Sequence, residues 1–340
     1  LFRSWDSLHG TNGAVLEYAT IVKLTRTLAI IPITLVLAFP RTRQARKGSS
    51  ASCGSFSLMK IFPFFILFFM FTVLPVIRSI GYSFTYYNIF NEPKFIWFDN
   101  FTRLFMDDPI FMTALKNTLI FAAITGPTGY LLSLMIAWLI NDLGPKVRWF
   151  LTLVFYAPAI SGSAVTVFSF IFSADRNGYV NSLLMSLGFI TEPIAWLKDP
   201  TYILGTLIVV QIWMSLGTSF LAFIAGLQGV DRSLYEAGAV EGIRNKWQEL
   251  WYITLPTMKP QLMFGAVMQI TTSFTVGDLS MGLAGFPSIE YAGHTLFTHL
   301  QDYGMVRLEF SYASAIATVM FVLMVVCNQI IQAMLKRVGD

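Results

Sequence analysis

The segment Glu236–Gly242 (EAGAVEG), followed closely by Ile253–Pro256 (ITLP), separates two long apolar runs. Alanine and glutamate favour a helix, whereas Gly242 accepts the left-handed backbone angle that ends one. Pro256 cannot continue an uninterrupted helix, because its ring clashes with the preceding turn. We therefore predict two short helices, the first ending at Gly242 and the second at Pro256. Such a well-delimited pair indicates a segment with a role of its own, not a simple connector.

Both short helices begin with a sequence pattern typical of a capping box. Ser233 is followed three residues later by Glu236, and Asn245 is followed three residues later by Gln248. In this pattern the first side chain accepts from a backbone amide of the helix, and the second returns to the amide of the cap. We predict that the first helix starts at Ser233 and the second at Asn245.

The second short helix carries large apolar side chains. Trp247, Leu250 and Trp251 are spaced i, i+3 and i+4, which predicts one apolar face. A functional interpretation is a surface that docks on a partner. The alternative is an ordinary interfacial helix pair in which Arg244 and Lys246 extend toward water.

The composition identifies a membrane protein. Of 340 residues, 55% are hydrophobic and only 12% are charged, whereas soluble domains contain about 25% charged residues. Six apolar segments approach the length of about 20 residues that crosses a bilayer. We place these spans at 61–77, 114–139, 149–172, 202–224, 262–283 and 312–334. The predicted fold class is therefore an all-α polytopic integral membrane protein.

One set of loops contains residues 41–60, 146–148, 232–259 and 336–337. These loops have more lysine and arginine than the loops predicted on the other side of the membrane. This bias places the Glu236 segment in the cytoplasm. The net charge of +4 gives no nucleic-acid signal, and the two cysteines give neither a disulfide framework nor a metal site. No P-loop motif occurs, so the chain has no ATPase of its own.

The outer loops are rich in aromatic residues, which we interpret as an interfacial belt or as a docking or sugar-stacking surface. One of these loops contains His294 and His299. Residues five apart do not share a helix face well, so we do not expect a metal site there.

Four residues of the predicted spans are candidates for a substrate path: Gln211, Trp213, Thr272 and Asp278. Amides and hydroxyls suit sugar hydroxyls, an indole face suits a pyranose ring, and charges inside a membrane are costly and tend to face the bundle interior. The alternative for the neutral residues is a helix-to-helix contact. For Asp278, the alternative is that the helix ends before it and water solvates the carboxylate.

The chain from about residue 61 to 340 resembles the permease subunits of binding-protein-dependent ABC importers of the carbohydrate-uptake, maltose-type branch. The resemblance rests on the Glu236 segment and on Pro75–Phe84, Asp99–Phe101, Asn117–Thr118 and Tyr156–Pro158. In that family a loop, here about residues 228–260, docks on a separate ATPase. The matching positions are Glu236, Ala237, Gly238, Gly242, Leu255 and Pro256, although the family pattern usually has Ala where Gly238 stands.

The resemblance implies a six-helix permease core in the bacterial cell membrane. Its expected partners are a second permease, a dimer of ABC ATPases, an extracytoplasmic solute-binding protein and the lipid bilayer. The implied function is import of sugars or oligosaccharides by alternating access, driven by ATP that the partner subunit binds. The chain itself is expected to be neither an enzyme nor the holder of a cofactor.

Residues 1–60 do not fit this pattern. The run 23–32 resembles a family of anion (sulfate) exporters and precedes a Gly/Ser linker at 48–55. We expect one weak hydrophobic segment at 27–39 and interpret the region as a graft onto the permease or a gene-boundary artefact; the alternative is an extra hydrophobic segment packed beside the permease. An alternative function is a secondary, ion-coupled transporter, for example of anions. A membrane scaffold without transport is a further alternative, but it does not explain the Glu236 segment.

Overall fold

The computed structural model describes residues 66–88, 92–161 and 164–336, and nearly all of their regular structure is helical. The predicted all-α class is confirmed. Backbone contacts divide the chain into Leu1–Pro75 and Val76–Asp340, and all elements from α2 onward belong to the second unit. The predicted extension 1–60, with its hydrophobic segment and linker, lies outside the described residues.

The helices are numbered in chain order, and one short hairpin accompanies them. The helices are α1 (Ile66–Tyr82), α2 (Asp99–Thr102), α3 (Pro109–Asn141), α4 (Pro145–Ile160), α5 (Ala164–Ile171), α6 (Tyr179–Ser186), α7 (Pro200–Met214), α8 (Thr218–Gln228), α9 (Arg232–Val240), α10 (Lys246–Glu249), α11 (Leu255–Thr257), α12 (Lys259–Phe274), α13 (Gly277–Ala284), α14 (Leu296–Gln301) and α15 (Phe310–Lys336). The antiparallel strands β1 (Thr85–Tyr86) and β2 (Lys94–Phe95) form the hairpin. Turns of π-helix follow α2, α10 and α14, at Arg103–Asp107, Leu250–Thr254 and Asp302–Val306.

The predicted membrane spans agree with the helices to different degrees. Among the described residues, three helical stretches are long and apolar enough to cross a membrane: α3, the run Pro200–Gln228 formed by α7 and α8, and α15. They correspond to the second, fourth and sixth predicted spans. The third span consists of two helices, α4 and α5, and the first is represented by the shorter apolar helix α1.

The fifth predicted span is interrupted, because α12 ends at Phe274 and α13 begins at Gly277. The ring of Phe297 lies directly against the Gly277 backbone, where an added Cβ would clash with the ring. Glycine is also a weak helix former. The sequence alone predicts a continuous helix here, whereas the structure has a break next to the close contact of Phe297 with Gly277.

Helix α3 is the central element, since it contributes to all three hydrophobic clusters of the fold. With 33 residues it is about 50 Å long, at about 1.5 Å per residue. Below, its two ends are called the Asp108 end and the Asn141 end. Each end supports a different functional feature.

Small and polar residues bring α3 and α12 together with the turn between α7 and α8. Gly129 lies against Gln269 and Ser215, where an added Cβ would be 2.4 Å from Gln269 Nε2. The Thr125 hydroxyl donates to Ser273 Oγ (3.2 Å), so polar groups pair between α3 and α12. Lipid tails are as apolar as leucine, and helices in a membrane therefore associate through close packing and hydrogen bonds of this kind.

Candidate functional site

The coupling segment, defined as Arg232–Thr257, forms the predicted helix pair. Helix α9 begins one residue after Asp231, whose carboxylate accepts from the Ser233 amide at 3.0 Å. The prediction that Ser233 caps this helix is therefore wrong. A carboxylate is favoured at the positive end of the helix dipole, and Asp231 takes the cap so that Ser233 already lies inside the helix.

The first helix ends as predicted at Gly242. Gly242 has φ +99°, and the amide of Ile243 donates to the carbonyl of Gly238 at 2.9 Å. The Gly242 amide donates to Ala239 O at 3.4 Å. This pair of bonds is the Schellman motif, which satisfies the last carbonyls of a helix and needs a residue that tolerates a positive φ.

Gly238 lies where α9, the first half of the segment, contacts the second half, which is the helical run from Lys246 to Thr257. A Cβ at this position would be 2.6 Å from Ile253 Cδ1 and 3.1 Å from Ile243 Cδ1. The missing side chain thus lets the second half approach α9 closely. This contact gives a physical reason for Gly238 where the family pattern has alanine.

The second half begins as predicted, because the Gln248 side chain accepts from the amides of Arg244 (3.0 Å) and Asn245 (3.3 Å). Its predicted end is wrong. Helical backbone continues through the π turn into α11, and Pro256 lies in the first turn of α11. Pro256 has no amide to bond a carbonyl of the preceding turn, and the helix ends one residue later, at Thr257. The chain leaves the helix at Met258.

The apolar residues of the second half do not share one face. Leu250 is buried, whereas Trp247 and Trp251 are 63% and 65% exposed. Leu250 and Leu255 join the cluster at the Asn141 end of α3, and the Tyr235 hydroxyl bonds the Thr254 hydroxyl at 2.9 Å. The segment is therefore attached to the bundle on one side and carries exposed apolar side chains on the other.

The predicted coupling residues Glu236 and Ala237 lie on the free side of α9, together with Ala239 and Val240, which the sequence did not single out. Glu236, Ala237 and Ala239 are exposed, and Val240 is 90% exposed. An apolar side chain that is exposed to this extent on a short, firmly capped helix is available to a partner.

The four candidate path residues lie on three helices. In α7, Gln211 is buried and Trp213 is 53% exposed. Thr272 and Asp278 are exposed on α12 and α13. Helix α12 ends before Asp278, which lies in the first turn of α13. Within the described parts of the chain, no hydrogen bond joins these four residues to one another.

Helix α12 divides its polar residues between two faces. Gln269 and Ser273 are buried, and Gln269 Nε2 donates to the Thr125 carbonyl of α3 at 3.3 Å. Thr271 and Thr272 lie on the exposed face. The buried face thus joins α12 to α3, whereas the face with Thr271 and Thr272 is not covered by the described part of this chain.

A buried polar network at the Asp108 end was not predicted. Asp108 Oδ1 accepts from the amides of Ile110 and Phe111, both at 3.0 Å, which caps α3. Its Oδ2 accepts from His299 Nε2 (3.0 Å) and from the hydroxyl of Tyr312 (2.8 Å). One carboxylate thus connects α3, α14 and α15. The Asp-Pro pair at 108–109 was the available signal, because it is typical of a helix start.

The two histidines of this network are in direct contact. His294 Nε2 lies 3.2 Å from His299 Nδ1. Because a carboxylate only accepts, His299 donates through Nε2, and its bare Nδ1 accepts from His294. The spacing of five residues does not keep the histidines apart, since His294 precedes α14 and no common helix face is involved. Within the described residues, no group of three or more potential ligands has the geometry of a metal site.

Burial disfavours the protonated form of both histidines. It lowers the pKa of His294 to about 4, and the neighbouring His299 lowers it further, because two adjacent imidazolium charges would repel each other. Burial also lowers the pKa of His299, although the neighbouring Asp108 opposes this effect. For Asp108, burial raises the pKa, but hydrogen bonds from Phe111 and Tyr312 outweigh it, so that this pKa lies below its usual value.

Comparison with known families gives two matches. Residues 129–339 match the family described as binding-protein-dependent transport system inner membrane component. Residues 8–91 match a family described only as conserved hypothetical protein 698. The predicted division at residue 60 remains a prediction.

Individual relatives support the first match. The chain is 34% identical to the probable ABC transporter permease protein YesP of Bacillus subtilis, over 84% of this chain and 90% of that protein. It is 32% identical to the lactose transport system permease protein LacF of Rhizobium radiobacter, over 78% and 89%. A solved bacterial ABC transporter involved in the import of the acidic polysaccharide alginate has a chain with 25% identity and a TM-score of 0.66, over 82% of this chain and 94% of that chain.

Proposed function

Because the chain belongs to the binding-protein-dependent transport system inner membrane components, we propose that it is a permease subunit that imports sugars or oligosaccharides into the cytoplasm. Its relatives include a lactose permease and a chain of an alginate importer, which supports a carbohydrate substrate. A second permease completes the path, and a solute-binding protein delivers the sugar from the extracytoplasmic side. Two ATPase subunits bind the ATP, and this chain holds no cofactor.

The coupling segment is the observation that carries the proposal. Its free side presents Glu236, Ala239 and Val240 to a partner, and its other side is fixed to the bundle through Leu250 and Leu255. A helix pair with this arrangement can transmit movement as a rigid lever. When ATP closes the ATPase dimer, the segment moves with it, and the helices change from inward-open to outward-open.

The exposed face of α12 supports a place for the path. The hydroxyls of Thr271 and Thr272 donate to the carbonyls of Val267 (2.9 Å) and Gln269 (3.0 Å), and their oxygens stay free to accept from a sugar or from the second permease. Trp213 of α7 offers an indole face for a sugar ring. Gln211, also in α7, and Asp278, in α13 directly after α12, remain candidates for the substrate path.

The test is a charge reversal in the coupling segment. We expect Glu236→Lys to abolish ATP-dependent uptake of a panel of radiolabelled oligosaccharides that includes lactose, while the protein still inserts in the membrane. Glu192→Lys, an equally exposed change in a loop beyond α6, should leave uptake intact. Normal uptake by the Glu236 variant would contradict the coupling role.

Uptake that persists without any ATPase and depends on an ion gradient would instead support a secondary transporter. The assay therefore includes membranes that lack the ATPase subunits. We expect no uptake in those membranes.

A further inference from the structure

A cavity of about 570 Å³ opens at the Asn141 end, beside the coupling segment. The ends of α3 and α8 and the start of α4 form part of its lining, and α9 and α10 form the rest. The volume lies in the range of about 300–1,000 Å³ that is typical of small-molecule sites. Because Leu250 and Leu255 pack into the hydrophobic cluster at this end, the bundle and the segment form one packed unit around the cavity.

The lining has an excess of one positive charge, with three cations against two carboxylates. The cations are Arg148, Arg232 and Lys246, and the carboxylates are Asp142 and Glu249. Both carboxylates pair with Lys246, at 3.7 Å and 2.9 Å from its Nζ. Within the described residues, neither arginine has a carboxylate at ion-pair distance.

Both arginines have donors that a ligand can use. Arg148 Nη1 donates to the backbone carbonyl and the side-chain oxygen of Asn141, at 3.2 and 3.1 Å, and its Nη2 and Nε have no partner among the described residues. Arg232 is exposed at the start of α9, and its side chain makes no bond within the described part of the chain. A guanidinium group has a planar fork of donors that matches the oxygens of a phosphate group. The cavity therefore favours a phosphate-bearing ligand over a neutral one.

The net charge of the lining distinguishes between classes of phosphate. A phosphodiester has a single negative charge, which the one excess positive charge balances. A phosphate monoester has a charge of about −1.5 to −2 and would leave negative charge next to Asp142 and Glu249. The amide of Gln228, which also lines the cavity, suits hydroxyl groups attached to the phosphodiester.

The surface beside the cavity indicates that the phosphodiester belongs to a lipid. Pro145 lines both the cavity and a shallow groove formed with Lys146, Trp149 and Phe150. Trp149 and Phe150 are mostly exposed, and Val154, one turn further along α4, continues the apolar face. Helix α4 opens the third predicted span, so its start lies near the level of the lipid headgroups, where tryptophan is enriched.

From these observations we propose that the cavity binds the headgroup of an anionic phospholipid such as phosphatidylglycerol. Arg148 and Arg232 bind its phosphate, and its acyl chains lie along Phe150 and Val154 of α4. Basic pockets between membrane helices bind anionic headgroups by the same combination of charge and apolar contact. The site goes beyond the proposed function, because lipid binding requires neither transport nor the ATPase.

The experiment measures lipid binding to the full-length chain in detergent by native mass spectrometry. Phosphatidylglycerol and the zwitterionic phosphatidylcholine, with the same acyl chains, are titrated separately. Inorganic phosphate and glycerophosphoglycerol, the headgroup without acyl chains, are added as competitors. The variants are Arg232→Gln and Arg244→Gln. Each removes one exposed positive charge from the coupling segment, but Arg244 does not line the cavity.

We expect the first phosphatidylglycerol to bind about tenfold more tightly than the first phosphatidylcholine. Arg232→Gln should weaken binding of phosphatidylglycerol about tenfold, as the loss of one hydrogen bond between charged groups predicts, and Arg244→Gln should leave it unchanged. Arg232 has no partner to lose within the described residues, so both variants should unfold at the same temperature as the original chain. Neither competitor should displace the lipid.

Three outcomes would overturn the proposal. Equal affinities of Arg232→Gln and Arg244→Gln for phosphatidylglycerol would show that the lipid binds outside the cavity. Displacement of the lipid by inorganic phosphate or by the free headgroup would identify a soluble phosphate compound as the ligand. Loss of the bound lipid when the ATPase is assembled on the chain would identify the ATPase as the occupant. If the lipid binds as expected while uptake proves independent of ATP, the site stands and the proposed function fails.

Discussion

The two ends of α3 satisfy their polar groups in opposite ways. At the Asp108 end, one carboxylate accepts from two amides, a histidine and a tyrosine, and all these partners belong to the same chain. At the Asn141 end, an open polar cavity adjoins a helix pair whose Val240 and Trp251 are mostly exposed. The comparison indicates that the first end is complete within this chain and that the second is built to meet something else.

The Asp108 end is also expected to be more rigid than the Asn141 end. A buried polar network is stable only when every member has its partner, so its loss is costly and its elements move together. The exposed side of the coupling segment makes few contacts of this kind. Changes at the Asp108 end should therefore affect stability, and changes at the Asn141 end should affect association and transport.

The largest expected effect is that of Asp108→Ala. It leaves His299 and Tyr312 without an acceptor and removes the cap of α3, which should cost about 3–5 kcal/mol. The measurement is thermal unfolding of the purified permease in detergent. Asp107→Ala, an exposed neighbour, is the control and should leave the midpoint nearly unchanged. Equal midpoints for the two variants would show that the network does not stabilise this end.

Acid should weaken the same end. Between pH 6.5 and pH 4 the unfolded chain protonates His294 while the folded chain does not, so the folded state binds fewer protons and loses stability as the pH falls. One such group contributes up to about 1.4 kcal/mol per pH unit. We expect His294→Gln, which keeps a donor toward His299, to flatten the pH dependence of the free energy of unfolding. An unchanged slope would contradict the assignment.

Two glycines sharpen the comparison between the ends. Gly242 and Gly188 both have positive φ and open space around the α-carbon. Alanine at either position should cost about 1–2 kcal/mol, because left-handed backbone is unfavourable for a residue with a Cβ. Only Gly242→Ala should also reduce sugar uptake, since it loosens the end of α9. Equal uptake by both variants would argue against a rigid coupling segment.

The smallest effect on stability is expected for Val240→Ser. An exposed side chain away from caps and buried networks usually changes stability by about 0.5 kcal/mol or less. Yet the same change should weaken association with the ATPase, which a pull-down of the assembled complex measures. A variant that binds the ATPase normally would show that this face of α9 is not the contact.

The fold was predictable where a pattern is local and repeated. Long apolar runs identified α3, α7 with α8, and α15, and Gly242 gave the end of α9 because few residues accept its backbone angle. The interruption between α12 and α13 was not predicted, and it adjoins the contact of Phe297 with Gly277, 20 residues apart in sequence, which no local pattern indicates. The continuation of the helix through Pro256 depends in a similar way on the preceding π turn.

The candidate site was predictable to a similar extent. The coupling segment was recognised from its own residues, but the burial of Leu250 between two exposed tryptophans was not, because it depends on how the segment lies on the bundle. The network of Asp108, His294 and His299 joins residues about 190 positions apart, at 3.0 Å for the Asp108 bond. The Asp-Pro pair at 108–109 indicates only the start of α3, and no local pattern indicates the contact of Asp108 with His299.

The most direct test of the account is a crosslink at Ala239, which is exposed on the free side of α9. A cysteine is placed there in a chain that lacks Cys53 and Cys327, and the ATPase from the same source is co-expressed. The account predicts a crosslink to the ATPase whose yield changes when ATP is added. A correctly inserted chain that gives no crosslink would contradict the coupling role and would make Asp278 the next residue to test for ion-coupled transport.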